Sequence, residues 1–226
     1  MEIQDNEFKK LVGKSKKKRY LIHALISVAT VLIISSVTVG GYLFYYNYYP
    51  FQGSKAAGVP NGKLVVKDND VGVLKLLIES SGSYAFNSDA KEVSVYVDAY
   101  EKGKKVKHEL VTNIGTEPRG MSGSIDWIME PTTDDKKLGK LKSEIMTTEG
   151  ASSRGEFDLG KLKFDASNGV GSSGETEDSM TLALNKEYIL RMWTTGGNVY
   201  STLKDTLSEH KKSNAEQLVV LYAVFE

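Results

Sequence analysis

The fold is decided by residues 93–110, VSVYVDAYEKGKKVKHEL. Val93, Val95, Val97 and Ala99 alternate with Ser94, Tyr96, Asp98 and Tyr100. A period of two is the mark of a β-strand with one face buried. Glu101-Lys102-Gly103-Lys104 then supplies a turn, and Val106, His108 and Leu110 resume the alternation, so the stretch predicts a hairpin. On either side, apolar or alternating runs recur at residues 63–67, 73–79, 125–129, 157–164, 180–184, 188–193 and 217–225, separated by Gly, Asn and Ser turns. Eight or nine short strands of this kind predict a mostly β domain, a β-sandwich, over residues 63–226. One interruption is helical: residues 199–212 place Tyr200, Leu203 and Leu207 on one side and mainly charged residues opposite, as a late amphipathic helix does. Residues 132–154 and 165–178 read as long polar loops.

Upstream the periodicity is of another kind. Residues 21–46 (LIHALISVATVLIISSVTVGGYLFYY) contain no Asp, Glu, Lys or Arg, and thirteen of them are Leu, Ile, Val or Phe. As a helix rising ~1.5 Å per residue, this segment reaches ~39 Å, more than the ~30 Å of a bilayer's hydrocarbon core. A single transmembrane α-helix is therefore expected over 21–46. A buried soluble helix would carry a polar face. A cleaved signal peptide has a shorter apolar region of ~7–15 residues, and here the apolar character runs on into Tyr42, Phe44, Tyr45, Tyr46, Tyr48, Tyr49 and Phe51. Amphipathic rings gather at headgroup level, so this block reads as an interfacial belt on a retained anchor. Residues 50–62, with two prolines among small residues, read as a linker that closes an interfacial segment of 47–62.

Charge sets the orientation. The chain of 226 residues holds 29 basic and 29 acidic side chains, but residues 1–20 hold seven basic against three acidic, leaving 22 against 26 beyond. Lys16, Lys17, Lys18 and Arg19 abut the span, which puts a short basic tail, 1–20, in the cytoplasm and the β domain outside the cell membrane. No aromatic residue interleaves Lys14 to Arg19, so anionic lipid headgroups, and not nucleic acid, are the expected partner of this run. Ser36 and Gly40 form a small-xxx-small pair through which two helices would approach closely, the basis for a weak dimer.

The chain has no cysteine, which excludes disulfides, thiolate metal or iron–sulfur sites, a cysteine nucleophile and a lipoprotein anchor. A thiol-free exported domain without an Asn-x-Ser/Thr sequon points to a Gram-positive bacterial envelope. The lead from Glu7-Phe8-Lys9-Lys10-Leu11 through Lys16-Lys17-Lys18-Arg19-Tyr20 into the apolar segment resembles the start of membrane-bound sigma-factor regulators of Gram-positive bacteria. That resemblance covers roughly the first fifth of the chain and implies a single-pass sensor with an extracytoplasmic sensing region. The chain departs from a typical anti-sigma factor in having only about twenty residues before the span.

No motif for chemistry is complete. Ser201-Thr202-Leu203-Lys204 and Ser88-Asp89-Ala90-Lys91 fit S-x-x-K, in which a lysine helps deprotonate a serine one helical turn away. The S-D-N and K-T-G partner motifs are absent, so a serine hydrolase using Ser201 and Lys204 is the remote alternative. Gly120-Met121-Ser122-Gly123-Ser124 lacks the last glycine of a nucleophile elbow. His108-Glu109 starts like H-E-x-x-H, but residue 112 is Thr and the context is a strand. Asp68, Asp70, Glu175, Glu177 and Asp178 offer oxygen ligands, yet Asp68-Asn69-Asp70-Val71-Gly72 is not an EF-hand loop. No cofactor, metal or catalytic residue is expected. Trp127 shares a strand face with Ile125 and Met129 and is assigned to the core. Tyr96 and Tyr100, opposite the valines, are the better candidates for an exposed contact surface, with packing on a second sheet or on the helix as the alternative. The function expected is non-catalytic: recognition of an envelope partner or ligand, with a sensor output or as an accessory interaction module.

Overall fold

The computed structural model describes residues 5–68, 72, 77–115, 120–131, 139–162, 164, 170–174, 178–195, 203–210 and 217–226. Two compact units divide the chain between Tyr45 and Tyr46. The first is one helix, α1 (Asp5–Tyr45). Its stretch Val12–Tyr45 is long and apolar enough to cross a membrane, with none of its most apolar window buried. Thr30 and Thr38 donate their hydroxyls to the carbonyls of Ile26 and Ile34 at 2.9 Å, so these two polar groups in the apolar stretch are satisfied inside the helix.

The second unit is built of strands, all paired antiparallel: β1 (Lys63–Lys67), β2 (Ser80–Asn87), β3 (Glu92–Glu101), β4 (Lys104–Gly115), β5 (Ser122–Glu130), β6 (Lys140–Thr147), β7 (Ser152–Asp158), β8 (Val170–Gly174), β9 (Ser179–Thr181), β10 (Glu187–Thr195) and β11 (Gln217–Phe225). One sheet runs β7-β6-β5-β2-β1-β9 and the other β4-β3-β11-β10-β8. Both feed one core. Phe86 meets Phe225 edge-on at 5.2 Å, Trp127 meets Trp193 at 5.7 Å, and Tyr84 donates its hydroxyl to the Leu190 carbonyl at 2.8 Å. Trp127 is thus a core residue, 3% exposed, as its strand face indicates.

The 93–110 hairpin forms as read. Lys102 and Gly103 take φ of 50° and 73°, the two left-handed positions of a tight hairpin turn, which a glycine enters without steric cost. At the far end of β4 the two sheets touch: a Cβ on Gly155 of β7 would collide with the Val111 carbonyl, and the Thr112 and Ser153 hydroxyls lie 3.0 Å apart. Only glycine permits that closeness.

Several readings are corrected. Residues 132–154 are not one loop, because β6 occupies 140–147 and β7 starts at 152. In β6, Leu141, Ser143, Ile145 and Thr147 are buried while Lys140, Lys142 and Glu144 line the other face; charges on the wet face hid the alternation. Residues 165–178 include β8, and 157–164 is no strand but the end of β7 followed by a 3-10 turn, Leu159–Leu162. β2 lay unread because Ser80, Ser81, Gly82 and Ser83 are poor strand formers, accepted here as Gly82 leaves room for the Trp127 ring. Residues 69–71 and 73–76 fall outside the described residues, and with them the first part of the strand expected at 73–79, whose last three residues, 77–79, are not strand; 196–202 and 211–216 around the late helix also fall outside, while α2 (Leu203–His210) is described.

The last correction concerns the supposed linker. Residues 46–62 form a strap docked on β2, not a free tether. Ala56 and Val59 are buried against Ala85, and Asn87 holds the strap from three directions: it accepts from the Ala56 amide at 2.8 Å and donates to the carbonyls of Ala56 at 3.1 Å and Val59 at 2.6 Å. Asn47, buried with φ 51°, donates to the same Val59 carbonyl at 2.7 Å, and the Gly58 amide donates to the Tyr46 carbonyl at 2.8 Å.

Candidate functional site

The aromatic residues of 42–51 divide between the two units. Tyr42, Phe44 and Tyr45 stand exposed on α1 with Lys16, Lys17, Lys18 and Arg19 nearer its start, whereas Tyr46, Tyr48 and Tyr49 belong to the strap. Tyr49 is the most open of them at 85%, while Tyr48 lies over Gly58. Ser36 and Gly40 sit on α1, with nothing near the position of a Gly40 Cβ. Lys204 is exposed on α2; Ser201, Asp70, Glu175 and Glu177 lie outside the described residues.

The most organised polar cluster lies on the outward face of β3, β4 and β11. It contains Tyr96 and Tyr100, but neither as an open surface. Tyr100 is 7% exposed and Tyr96 is half-buried, because this face is itself covered: Tyr100, Met192, Leu218, Val220 and Tyr222 form a second apolar cluster on which Leu207 of α2 packs.

At the centre stands Asp98, 1% exposed. Burying a carboxylate costs several kcal/mol unless partners replace its water. Here Lys105 forms an ion pair with one oxygen, His108 Nδ1 lies 2.7 Å from the other, and the Tyr100 hydroxyl donates to the carboxylate at 3.3 Å. Tyr222 Oη lies 3.3 Å from the same imidazole nitrogen. The rings stack: His108 on Tyr96 with centroids 4.9 Å apart, and Tyr96 on Tyr222 at 5.6 Å. Burial, and then the Asp98 charge, push the phenols of Tyr100 and Tyr222 above the usual tyrosine range, so both stay neutral at physiological pH.

Water reaches one side only. Lys105 and His108 keep 42% and 53% of their side-chain exposure while the carboxylate between them keeps almost none. A carboxylate that holds Nδ1 fixes the imidazole's orientation and leaves Nε2 to exchange a hydrogen bond with a ligand. Among the described residues no three His, Asp or Glu side chains gather to hold a metal ion. The cluster therefore offers a fixed imidazole, an ammonium group and stacked aromatic edges: a surface for hydrogen bonding and for an anionic or π-rich group.

Sequence reading missed Asp98, Lys105, His108 and Tyr222 as a group. The available signal was Tyr96-x-Asp98-x-Tyr100 on one strand face, an acid between two phenols.

The β unit has a family. The sequence profile of the YgaN domain matches residues 66–225, which run from the end of β1 to the end of β11. The chain belongs to the YgaN domain family. The YgaN domain thus includes both sheets, save the first three residues of β1, and every residue of the Asp98 cluster, while α1 and the strap precede the match. No curated protein and no solved structure matches the chain.

Proposed function

We propose that this YgaN-domain protein is a single-pass membrane protein that recognises a partner or ligand outside the cell and catalyses nothing. Its anchor is the helix 21–46, its amino-terminal tail is cytoplasmic, and its β domain, read as a sandwich, is extracytoplasmic. The observation that carries this reading is the uncharged apolar run of α1, preceded at once by Lys16, Lys17, Lys18 and Arg19 and followed by Tyr42, Phe44 and Tyr45. The Asp98 cluster supports recognition as the role of the domain, since its groups are positioned to bind and are half open to water.

A sensor that reports across the membrane and an accessory interaction module share this layout. The basic lead, which resembles that of sigma-factor regulators, favours the sensor. The test is protease accessibility on intact protoplasts, followed by crosslinking from residues 1–20 and from the β domain. Removal of the domain by external protease is the expected result, and a domain that survives until the protoplasts are lysed overturns the orientation. A cytoplasmic regulator crosslinked to residues 1–20 selects the sensor. Crosslinks from the β domain alone select the module.

A further inference from the structure

The two sheets touch at Val111 and Gly155 but part beyond that point. Where β4 and β7 diverge, a groove of about 440 Å³ opens between them, floored by Ala99, Phe157 and Leu162 and rimmed by Val106, Lys107 and Lys161. One wall is a free strand edge. β4 ends its sheet, pairs only with β3 among the described strands, and is exposed from Lys104 to His108. An unpaired edge is a template on which another extended chain completes a ladder.

The charges say what kind of chain. Along this edge stand Lys104, Lys105 and Lys107, with Lys161 on the opposite wall; Asp98 pairs with Lys105, and Glu109, which also lines the groove, pairs with Lys107 at 2.5 Å, so four cations face two acids. A surplus of lysines on an edge strand disfavours basic strands by like-charge repulsion and neutral ones by the cost of desolvating ammonium groups. A strand that brings carboxylates removes that obstacle. Side chains of an extended chain alternate sides, so every second residue would face the apolar floor and those between would meet the lysines.

We infer that this groove is a docking site for an extended, acidic peptide segment of a partner protein, one that alternates apolar and acidic residues and adds to the free edge of β4. The inference rests on the proposal that the domain is a recognition module. It is tested on purified protein, so a wrong membrane orientation and a wrong groove fail in different experiments.

The test uses the full chain in detergent micelles, a fluorescent peptide of alternating valine and glutamate, and its counterpart with lysine for glutamate. Saturable binding of the acidic peptide is expected, weakening as salt rises, together with new hydrogen-exchange protection at the amides of residues 104–110. Reversal of both rim charges, K107E with K161E, lowers affinity about ten-fold or more. Reversal of a lysine on the other sheet's outward face, K142E, leaves affinity within about two-fold. Both variants alter exposed side chains, and an unchanged thermal transition confirms that they fold. The inference is overturned by no binding to the folded chain, by equal binding of the lysine peptide, by indifference to the double reversal, or by binding without protection in β4.

Discussion

The outward faces of the two sheets carry similar residues and treat them in opposite ways. On the face of β5, β6 and β7, charges pair in the open: Arg154 Nε donates to Glu144 at 2.8 Å, Lys142 to Glu130 at 2.5 Å, and Lys140 to Glu156 at 3.4 Å. Asp126 accepts from the Ser83 and Ser124 hydroxyls at 2.5 and 2.8 Å. On the face of β3, β4 and β11, Asp98 is buried beside the apolar cluster on which Leu207 of α2 packs, while Glu92, at the end of the same face, accepts from Ser94 and Asn113. Strand alternation assigns residues to a face; what lies over the face decides whether a charge is solvated or must be answered by named partners.

If that contrast is right, deleting a cation has different effects on the two faces. Lys105→Ala leaves a buried carboxylate with His108 and Tyr100 alone, and chemical denaturation should show a loss of about 2 kcal/mol. Asp98→Ala, which leaves behind an ammonium group and an imidazole that water still reaches, should cost less, about 1 kcal/mol. A reversed order would mean that Asp98 is not sealed.

The alkaline limb of the stability curve sharpens the same point. Tyr100 and Tyr222 hold their protons more tightly in the native state than in the unfolded one, so the native state binds more protons above the ordinary tyrosine pKa of ~10. Their contribution is fully present below about pH 10 and is lost as pH rises further. Denaturation followed from pH 8 to 12 should show stability falling beyond pH 10, with a shallower fall in Tyr100→Phe and in Tyr222→Phe. Phenolate absorbance from these two residues should appear only with unfolding.

The smallest effect belongs to the open face. A double-mutant cycle on Arg154 and Glu144 should return a coupling of no more than about 0.5 kcal/mol, since Arg154 is 75% exposed and the pair is screened. A coupling of several times that size would make the ladder a structural network like the one around Asp98.

The sequence displayed the strands where an apolar face alternated with a polar one, as in 93–99, or where the run was apolar throughout, as in 217–225, and it displayed the apolar run of α1 by composition alone. It concealed β2 and β6, where serine, glycine or charge occupied the visible face. The Asp98 cluster was hidden for a subtler reason. From a two-residue turn, unbroken pairing of Glu101 with Lys104 and Tyr100 with Lys105 would set Asp98 opposite Lys107. A bulge at Val106 shifts the ladder by one residue and sets His108 there instead. Nothing local in Lys105-Val106-Lys107 announces that bulge, which depends on how β4 follows the twist of its sheet. Tyr222 reaches the cluster from 114 residues away in the chain, by a pairing of β11 with β3 that no short-range pattern contains.

The docked strap redefines the smallest piece of this chain that can be expected to fold by itself. A fragment cut at Lys63, where the first strand begins, would strip the cover from Ala85 and leave the Asn87 side chain without the three backbone partners it serves. Starting at Tyr46 keeps them. The difference is seventeen residues without a single strand or helix among them, whose removal would look harmless on any secondary-structure diagram.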